Sequence, residues 1–344
     1  MPRGLVRAAA YLPRFTDGRC RLGGTDEDAF TFAATALERA AQPRPQDDRT
    51  HRVRWLGPTT APEPSALAAV LGSPVRLADE GPGGPSVAAS LEDAASGSGP
   101  EWVVAVACEA GDAGGAPAEP PGEGAVAFLF DETDAARPVP RLPQASGRSA
   151  RTGAFAVLWA LGPARAEPGA WVGDWGADPT VGPKAVSRAS PRAPHPPYTV
   201  SQGAFVPGAR DEEGRPSRWR FLADRCGSCG ARTFPARGRC RGCGASGPLT
   251  PELLPLDGAE VVAVTKIAQG GQPTEFDLQV ETSGPYGVVL AELAPDVRVT
   301  MMVADAEGEE IRIGSRVDTA LRRLYPTEGA WRYGRKAVPR RPAT

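Results

Sequence analysis

Histidine is nearly missing from this chain: His51 and His195 are the only two in 344 residues. Neither has a cysteine or carboxylate beside it in sequence to make it a general base. Both are expected at the surface, His51 at the start of a strand and His195 in the extended segment Ala193-Pro-His-Pro-Pro197. No apolar run approaches the roughly 20 residues that span a bilayer. Residues 1–6 lead straight into strand-like sequence without a signal-peptide pattern, so a cytoplasmic location is expected. Aromatic residues make up only 6% and the formal net charge is −2, which together argue against a dedicated nucleic-acid binder. Cysteine is scarce as well, six in all. Cys20 and Cys108 are too few and too far apart for a disulfide scaffold, which leaves the other four.

Those four are grouped. Cys226-Gly-Ser-Cys229 is followed by Cys240-Arg-Gly-Cys243, and each pair precedes a glycine, Gly230 and Gly244. Such pairs close turns whose backbone N–H groups point at sulfur, and together they present four thiolates tetrahedrally to one ion. A redox dithiol would stand alone beside a βαβ pattern, and two disulfides would need a secreted context. The spacing therefore predicts a rubredoxin-like zinc ribbon, with structural zinc on Cys226, Cys229, Cys240 and Cys243. A closed site of this kind folds the chain and does no chemistry.

The N-terminal half alternates strand and helix signals. Residues 4–12 read as a buried strand ending at Pro13, and Thr25-Asp-Glu-Asp28 resembles a capping box opening a helix with Ala29, Phe30, Ala33, Leu37 and Ala40 at helical spacing. Residues 52–57 predict a second strand, 64–71 a short helix, and 85–95 another helix with Val87 and Leu91 on one side. Strands are expected at 102–107, 124–130 and 151–161. The order predicts a layered α/β sheet covered by helices.

Gly4-Leu-Val-Arg-Ala-Ala-Ala-Tyr-Leu-Pro-Arg14 resembles the opening of hydroxymethylglutaryl-CoA synthase-like proteins of the thiolase superfamily. Glu101-Trp-Val-Val-Ala-Val-Ala107, a loop with Pro117 and Pro121, and Gly122-Glu-Gly-Ala-Val-Ala-Phe-Leu-Phe130 resemble later strands of the same half-domain. The resemblance spans residues 1–162. It implies a cysteine nucleophile at the start of the helix after the third strand, where a helix N-terminus and a histidine partner favour the thiolate. The equivalent stretch, residues 77–88, has no cysteine. Ser86 is the nearest nucleophile there and reads as a helix cap, while Cys108 reads as a small core residue. The second thiolase half has no counterpart. The expected result is an inactive, truncated lobe without catalytic residues.

Residues 163–216 are rich in proline and glycine, with Trp171 and Trp175 as isolated aromatics, and predict an irregular connector. Residues 217–226 read as an amphipathic lead-in with Trp219 and Phe221 or Leu222 for burial, so that 217–248 form lead-in helix and ribbon. Strands are expected at 260–267, 275–280, 288–293, 297–303, 310–313 and 316–324, which suggest a small β-barrel over 249–338, with 339–344 as a tail.

The lead-in, the two Cys-x-x-Cys-Gly knuckles, Phe234-Pro235, Pro285-Tyr286, Ile313-Gly314 and Tyr333-Gly334 resemble the zinc-ribbon and OB-fold proteins that accompany acyl-CoA thiolases. The resemblance implies an accessory subunit that bridges a thiolase- or ketosynthase-like catalytic partner in a hetero-oligomer and helps to hold a coenzyme A thioester. Phosphate charges of CoA are expected to meet a basic tail that includes Arg332, Arg335 and Lys336, with Phe276 and Tyr286 available to stack on adenine. A solvated basic surface or an acidic protein contact explains those cations equally well, as it does the second patch of Arg225, Arg232, Arg237, Arg239 and Arg241. Two other functions compete. One is an acyltransferase acting through Ser86 or Cys108; the other is single-stranded nucleic-acid binding, which OB-folds often perform.

Overall fold

In the computed structural model the described residues are 3–11, 15–16, 21–22, 26–41, 48–56, 60–78, 87–107, 124–132, 184–185, 208–268, 276–277, 280, 284–306, 311–327 and 330–340. They fall into two compact units, Met1–Ala189 and Ser190–Thr344. Among them, no helix is long and apolar enough to cross a membrane.

The first unit is built on a mixed sheet of β1 (Arg3–Tyr11), β4 (His51–Leu56), β5 (Val75–Leu77), β6 (Glu101–Ala107) and β7 (Gly124–Glu132), in the order β1-β7-β6-β4-β5. β4 runs parallel to β5 and β6, while β7 is antiparallel to both of its neighbours. Successive residues of β6 and β7, such as Val103, Val104 and Ala105 or Ala125, Val126 and Ala127, are all buried, so both faces of the sheet are covered. A smaller sheet joins β2 (Phe15–Thr16) to β3 (Arg21–Leu22) and β8 (Lys184–Ala185).

Helix α1 (Ala29–Ala40) packs on β1, β6 and β7. Ten of its twelve residues are buried, more than the single stripe of a surface helix, so it is enclosed by the unit. Its cap differs from the predicted one. Asp28 is the N-cap, its carboxylate accepting from the Thr31 N–H at 3.0 Å while the Thr31 hydroxyl accepts from the Asp28 N–H at 2.8 Å. The box therefore runs from Asp28 to Thr31 and not from Thr25 to Asp28, because Thr31 can answer the cap where Asp26 and Glu27 precede the helix. Helices α2 (Pro64–Leu71) and α3 (Val87–Ser96) complete the cover, α2 against α1 and β5, α3 against β6 and β1.

His51 is not at the surface. It is 4% exposed, and its Nδ1 accepts a hydrogen bond from Trp102 Nε1 at 2.9 Å, because β4 lies beside β6 and brings an indole N–H to the ring. The same strands bury an ion pair between Arg54 and Glu101, and Arg54 also meets Asp93 of α3. Ser86, Cys20, Cys108, His195, Trp171, Trp175 and the strand expected at 151–161 lie outside the described residues.

The second unit begins with helix α4 (Gly208–Arg220), which occupies the end of the stretch expected to be an irregular connector. β9 (Leu222–Cys226) is the centre of a three-stranded sheet between β10 (Arg232–Thr233) and β11 (Leu249–Leu253). Next comes an antiparallel sheet of β12 (Ala259–Ile267), β13 (Tyr286–Ala294), β14 (Val297–Met302), β15 (Arg316–Thr327) and β16 (Ala330–Pro339), in the order β14-β13-β12-β15-β16. A bridge between Val303 and Ala337 brings its two outer strands together, so the sheet nearly closes on itself. Ala304 N–H donates to the Ala337 carbonyl at 2.9 Å beside it.

One core serves the ribbon and the barrel-like sheet: Phe221 and Ala223 pack with Leu254, Val261, Val289, Ala291, Val297, Met301, Val317 and Ala337. Among the described residues, two of the expected strands do not form. Residues 276, 277 and 280 are helical, and 311–313 lead into a turn closed by Ser315 N–H on the Arg312 carbonyl. Strand β16 arises from what read as a basic tail. Its pairing with β15 along Val317–Thr327 supplies backbone hydrogen bonds that a charge pattern does not advertise.

Candidate metal centre

The two cysteine knuckles are built by the same local hydrogen bonds. In the first, Cys226 N–H donates to the Ala231 carbonyl and Gly230 N–H to the Cys226 carbonyl, both at 2.9 Å. In the second, Cys240 N–H donates to Ala245 at 2.8 Å and Gly244 N–H to Cys240 at 3.0 Å. Gly230 and Gly244 sit at φ +72° and +77°, where an L side chain is strained, so each turn needs its glycine. A third glycine serves a different purpose. A Cβ on Gly242 would lie 3.0 Å from the Ala231 Cβ and 3.5 Å from Cys229 Sγ, so its bareness lets the knuckles close on each other.

The result is a cluster of four sulfurs within 4.8 Å of one another. Cys226 and Cys243 Sγ are 3.7 Å apart, and Cys229 and Cys240 Sγ 3.5 Å. A tetrahedron with metal–sulfur bonds of about 2.3 Å has edges of about 3.8 Å, so the donors already stand at the spacing of an all-thiolate site. Cys226 and Cys240 are buried while Cys229 and Cys243 face solvent.

Backbone donors prepare the sulfurs for ionisation. N–H groups of Cys243 and Gly242, 3.5 and 3.3 Å from Cys240 Sγ, bring that thiol down to about 6. Cys226 is lowered by the N–H groups of Cys229 and Ser228. At Cys229 the Ala231 N–H pulls downward, but the sulfurs of Cys240 and Cys243 outweigh it and push the thiol up to about 12. Four such thiols cannot all ionise together without a cation among them.

The ribbon is held in place by charges that are themselves paired. Glu252 on β11 accepts from Arg232 Nε and Nη2, both at 3.0 Å, across β9. Asp224 on β9 accepts from the N–H groups of Arg237 at 2.9 Å and Gly238 at 3.0 Å, fixing the loop before the second knuckle.

The residues expected to meet coenzyme A are differently placed. Phe276 and Tyr286 come together, centroids 6.1 Å apart, and Tyr325 completes the group edge-on to Phe276 at 5.6 Å. Tyr325 carries no sequence signal because β13 and β15 are neighbours of β12 only in the folded sheet. The cations do not form the expected outward tail. Arg332, Arg335 and Lys336 are all buried, Lys336 at 1% exposure. Arg335 Nε donates to the Trp219 carbonyl at 2.6 Å, and Arg332 lies 3.7 Å from Asp211 of α4. Arg322 is equally buried and pairs with Asp305 at 2.9 Å. α4 packs on β16, and there Asp211 and the Trp219 carbonyl receive Arg332 and Arg335.

Residues 217–248 match the family model described as ChsH2, rubredoxin-like zinc ribbon domain. The chain is 28% identical over 124 residues to a DUF35 domain-containing scaffold protein of Methanocaldococcus jannaschii, covering 36% of this chain and 83% of that protein. A protein of the same description from Methanothermobacter thermautotrophicus is 28% identical over 127 residues, covering 36% of this chain and 90% of the relative. Similar solved structures include an Ltp2-ChsH2(DUF35) aldolase, with 20% identity, a TM-score of 0.27, and coverage of 35% of this chain and 85% of that one. Another is MvaS in complex with 3-hydroxy-3-methylglutaryl coenzyme A, with 20% identity, a TM-score of 0.28, and coverage of 38% and 40%.

Proposed function

We propose that this chain is a non-catalytic scaffold subunit, which bridges a thiolase- or ketosynthase-type catalytic partner in a hetero-oligomer and helps to hold an acyl-CoA. The observation that carries this reading is the second unit: a four-cysteine ribbon sharing one hydrophobic core with a nearly closed sheet, in a chain similar to proteins described as scaffolds across most of their length. The ribbon positions a surface and the sheet continues it, and neither offers a nucleophile with a positioned base among the described residues.

Zinc is the proposed resident of Cys226, Cys229, Cys240 and Cys243. All-sulfur tetrahedral donors suit zinc, and also iron, so the metal is to be identified directly. When bound it supplies folding free energy and no Lewis-acid step, since all four positions belong to protein. The nearly closed sheet is assigned as an OB-fold, and residues 1–162 as an inactive thiolase-like lobe. The mixed sheet around an enclosed α1 and the resemblance of β1, β6 and β7 support the latter. For acyl-CoA, half-buried Phe276 and Tyr325 beside Tyr286 offer an aromatic surface, whereas Arg332, Arg335 and Lys336 serve the fold.

The experiment is purification of the tagged chain from its native host, with intact-complex mass and metal content measured together. A complex with a thiolase- or ketosynthase-type subunit and about one zinc per chain is expected. A lone monomer that turns over an acyl-CoA would overturn the proposal.

A further inference from the structure

We infer that the zinc ribbon carries a binding site for the phosphate group of a small organic phosphate, in the hollow lined by Arg237, Arg239 and Arg241. This goes beyond the scaffold reading and does not depend on it. The hollow measures about 430 Å³ and is lined by Thr233, Phe234, Arg237, Arg239, Cys240 and Arg241. That volume suits a small ligand.

Four exposed or half-buried arginines elsewhere in the second unit face carboxylates: Arg225 and Arg232 meet Glu252 at 3.6 and 3.0 Å, Arg298 meets Glu292 at 2.9 Å, and Arg316 meets Glu260 at 3.0 Å. Around the hollow, the partners are neutral. Arg239 Nε donates to the Gly244 carbonyl at 2.9 Å, and Arg241 Nη1 reaches the Asp296 carbonyl at 3.5 Å. Among the described residues, the Arg237 side chain has no hydrogen-bond or ion-pair partner. Of the acids nearby, Asp224 directs its carboxylate to the backbone N–H groups of Arg237 and Gly238, and Asp296, which offers Arg241 its carbonyl, acts with its charge on Arg232.

Carbonyl partners orient a guanidinium without cancelling its charge. The Arg239 fork is thus held in place with donors to spare, the arrangement that phosphate oxygens match in pairs. The loaded metal centre next to the hollow would carry a formal charge of about −2 from four thiolates and one divalent ion, which three guanidiniums exceed. Phe234, held edge-on by Phe221 at 5.7 Å, gives the hollow an apolar wall for the organic part of the ligand.

The test is titration calorimetry on the full, zinc-loaded chain with pyrophosphate, adenosine 3′,5′-bisphosphate, coenzyme A, adenosine and an acidic peptide. Pyrophosphate, the bisphosphate and coenzyme A are expected to saturate one site, and adenosine to give no heat. Arg237→Gln, Arg239→Gln and Arg241→Gln should each weaken the phosphates about ten-fold or more, with zinc content unchanged and with Arg298→Gln behaving as the parent. Several results would overturn the inference: no saturable binding of any bare phosphate, binding of coenzyme A alone, binding of the acidic peptide without the phosphates, or loss of zinc in the glutamine variants. The last would mean that the arginines serve the thiolates. A scaffold that still assembles with its partner under any of these outcomes leaves the proposed function standing.

Discussion

Trp219 and Tyr333 are joined twice: the Trp219 indole N–H donates to the Tyr333 carbonyl at 3.0 Å, and the two rings meet edge-on with centroids 6.2 Å apart. Through this pair α4 is fastened to β16, and Trp219 is 2% exposed as a result. Arg335 Nε returns a bond to the Trp219 carbonyl, so the end of the helix and the strand hold each other by backbone and side chain alike.

Trp219→Ala is therefore expected to destabilise the second unit by about 3–5 kcal/mol, the range for emptying a buried tryptophan site. Trp219→Phe keeps much of the apolar volume but leaves the Tyr333 carbonyl without its indole donor, so a loss of about 1–3 kcal/mol is expected. Urea unfolding followed by far-UV circular dichroism separates the two. Equal stability of Trp219→Ala and the parent would contradict the described packing.

Removal of the metal should unfold the ribbon and loosen the sheet, because Phe221 and Ala223 belong to the core of both. A chelator should release about one zinc per chain and lower the melting temperature. Cys240→Ser should be purified without zinc. Acidification should act in the same direction: binding needs Cys229 as a thiolate although its thiol is pushed up to about 12, so protons compete and zinc affinity falls as pH falls. A stability unchanged by chelation would refute a structural metal.

In the first unit, Arg54 and Glu101 are 4% and 2% exposed at their side chains and face each other on adjacent strands. Glu101→Ala should cost about 3–5 kcal/mol, since it takes the buried acid from a buried guanidinium, while Asp93, which also meets that guanidinium, is exposed. Replacing both together, Arg54→Met with Glu101→Leu, should recover much of that loss. Thermal unfolding of the single and double variants decides the matter, and a double variant no better than Glu101→Ala would count against the pair.

Asp211 is the acid on which α4 gathers Arg215 at 3.1 Å, Arg218 at 2.5 Å and Arg332 at 3.7 Å. Asp211→Asn should lower stability by about 1–3 kcal/mol, less than a fully buried pair would, because the Arg218 side chain is 39% exposed and remains solvated. The loss should persist at high salt, since Asp211 and Arg332 are shielded from counter-ions.

Much of the architecture could be read from the residues in order. Pro64–Leu71, the runs at β6 and β7, and the knuckles around Cys226 and Cys240 are local: their apolar spacing, glycines and short-range hydrogen bonds lie within a few residues of one another. That is also why the four sulfurs could be grouped before any tertiary contact was known. The shift of the capping box from Thr25 to Asp28 is a small failure of the same local logic, since a Thr at N3 can answer a cap as an acid does.

What tertiary structure decided was the direction in which ambiguous residues face. A histidine beginning a strand could lie in water or in a core; β6 placed Trp102 beside His51 and buried it. The arginines after Leu321 read as a basic tail for CoA phosphates, solvent or an acidic partner, yet β16 pairs with β15, and α4 brings Asp211 and the Trp219 carbonyl to receive Arg332 and Arg335. Charge pattern records that a cation is present, whereas its burial depends on whether a distant segment supplies an acceptor. The sequence by itself determined the turns, the sulfur ligands' spacing and the strand-helix rhythm, because those interactions close within a few residues. Only the fold decided which arginines turned inward, because Asp211 and the Trp219 carbonyl, which receive Arg332 and Arg335, lie on a helix far away in sequence.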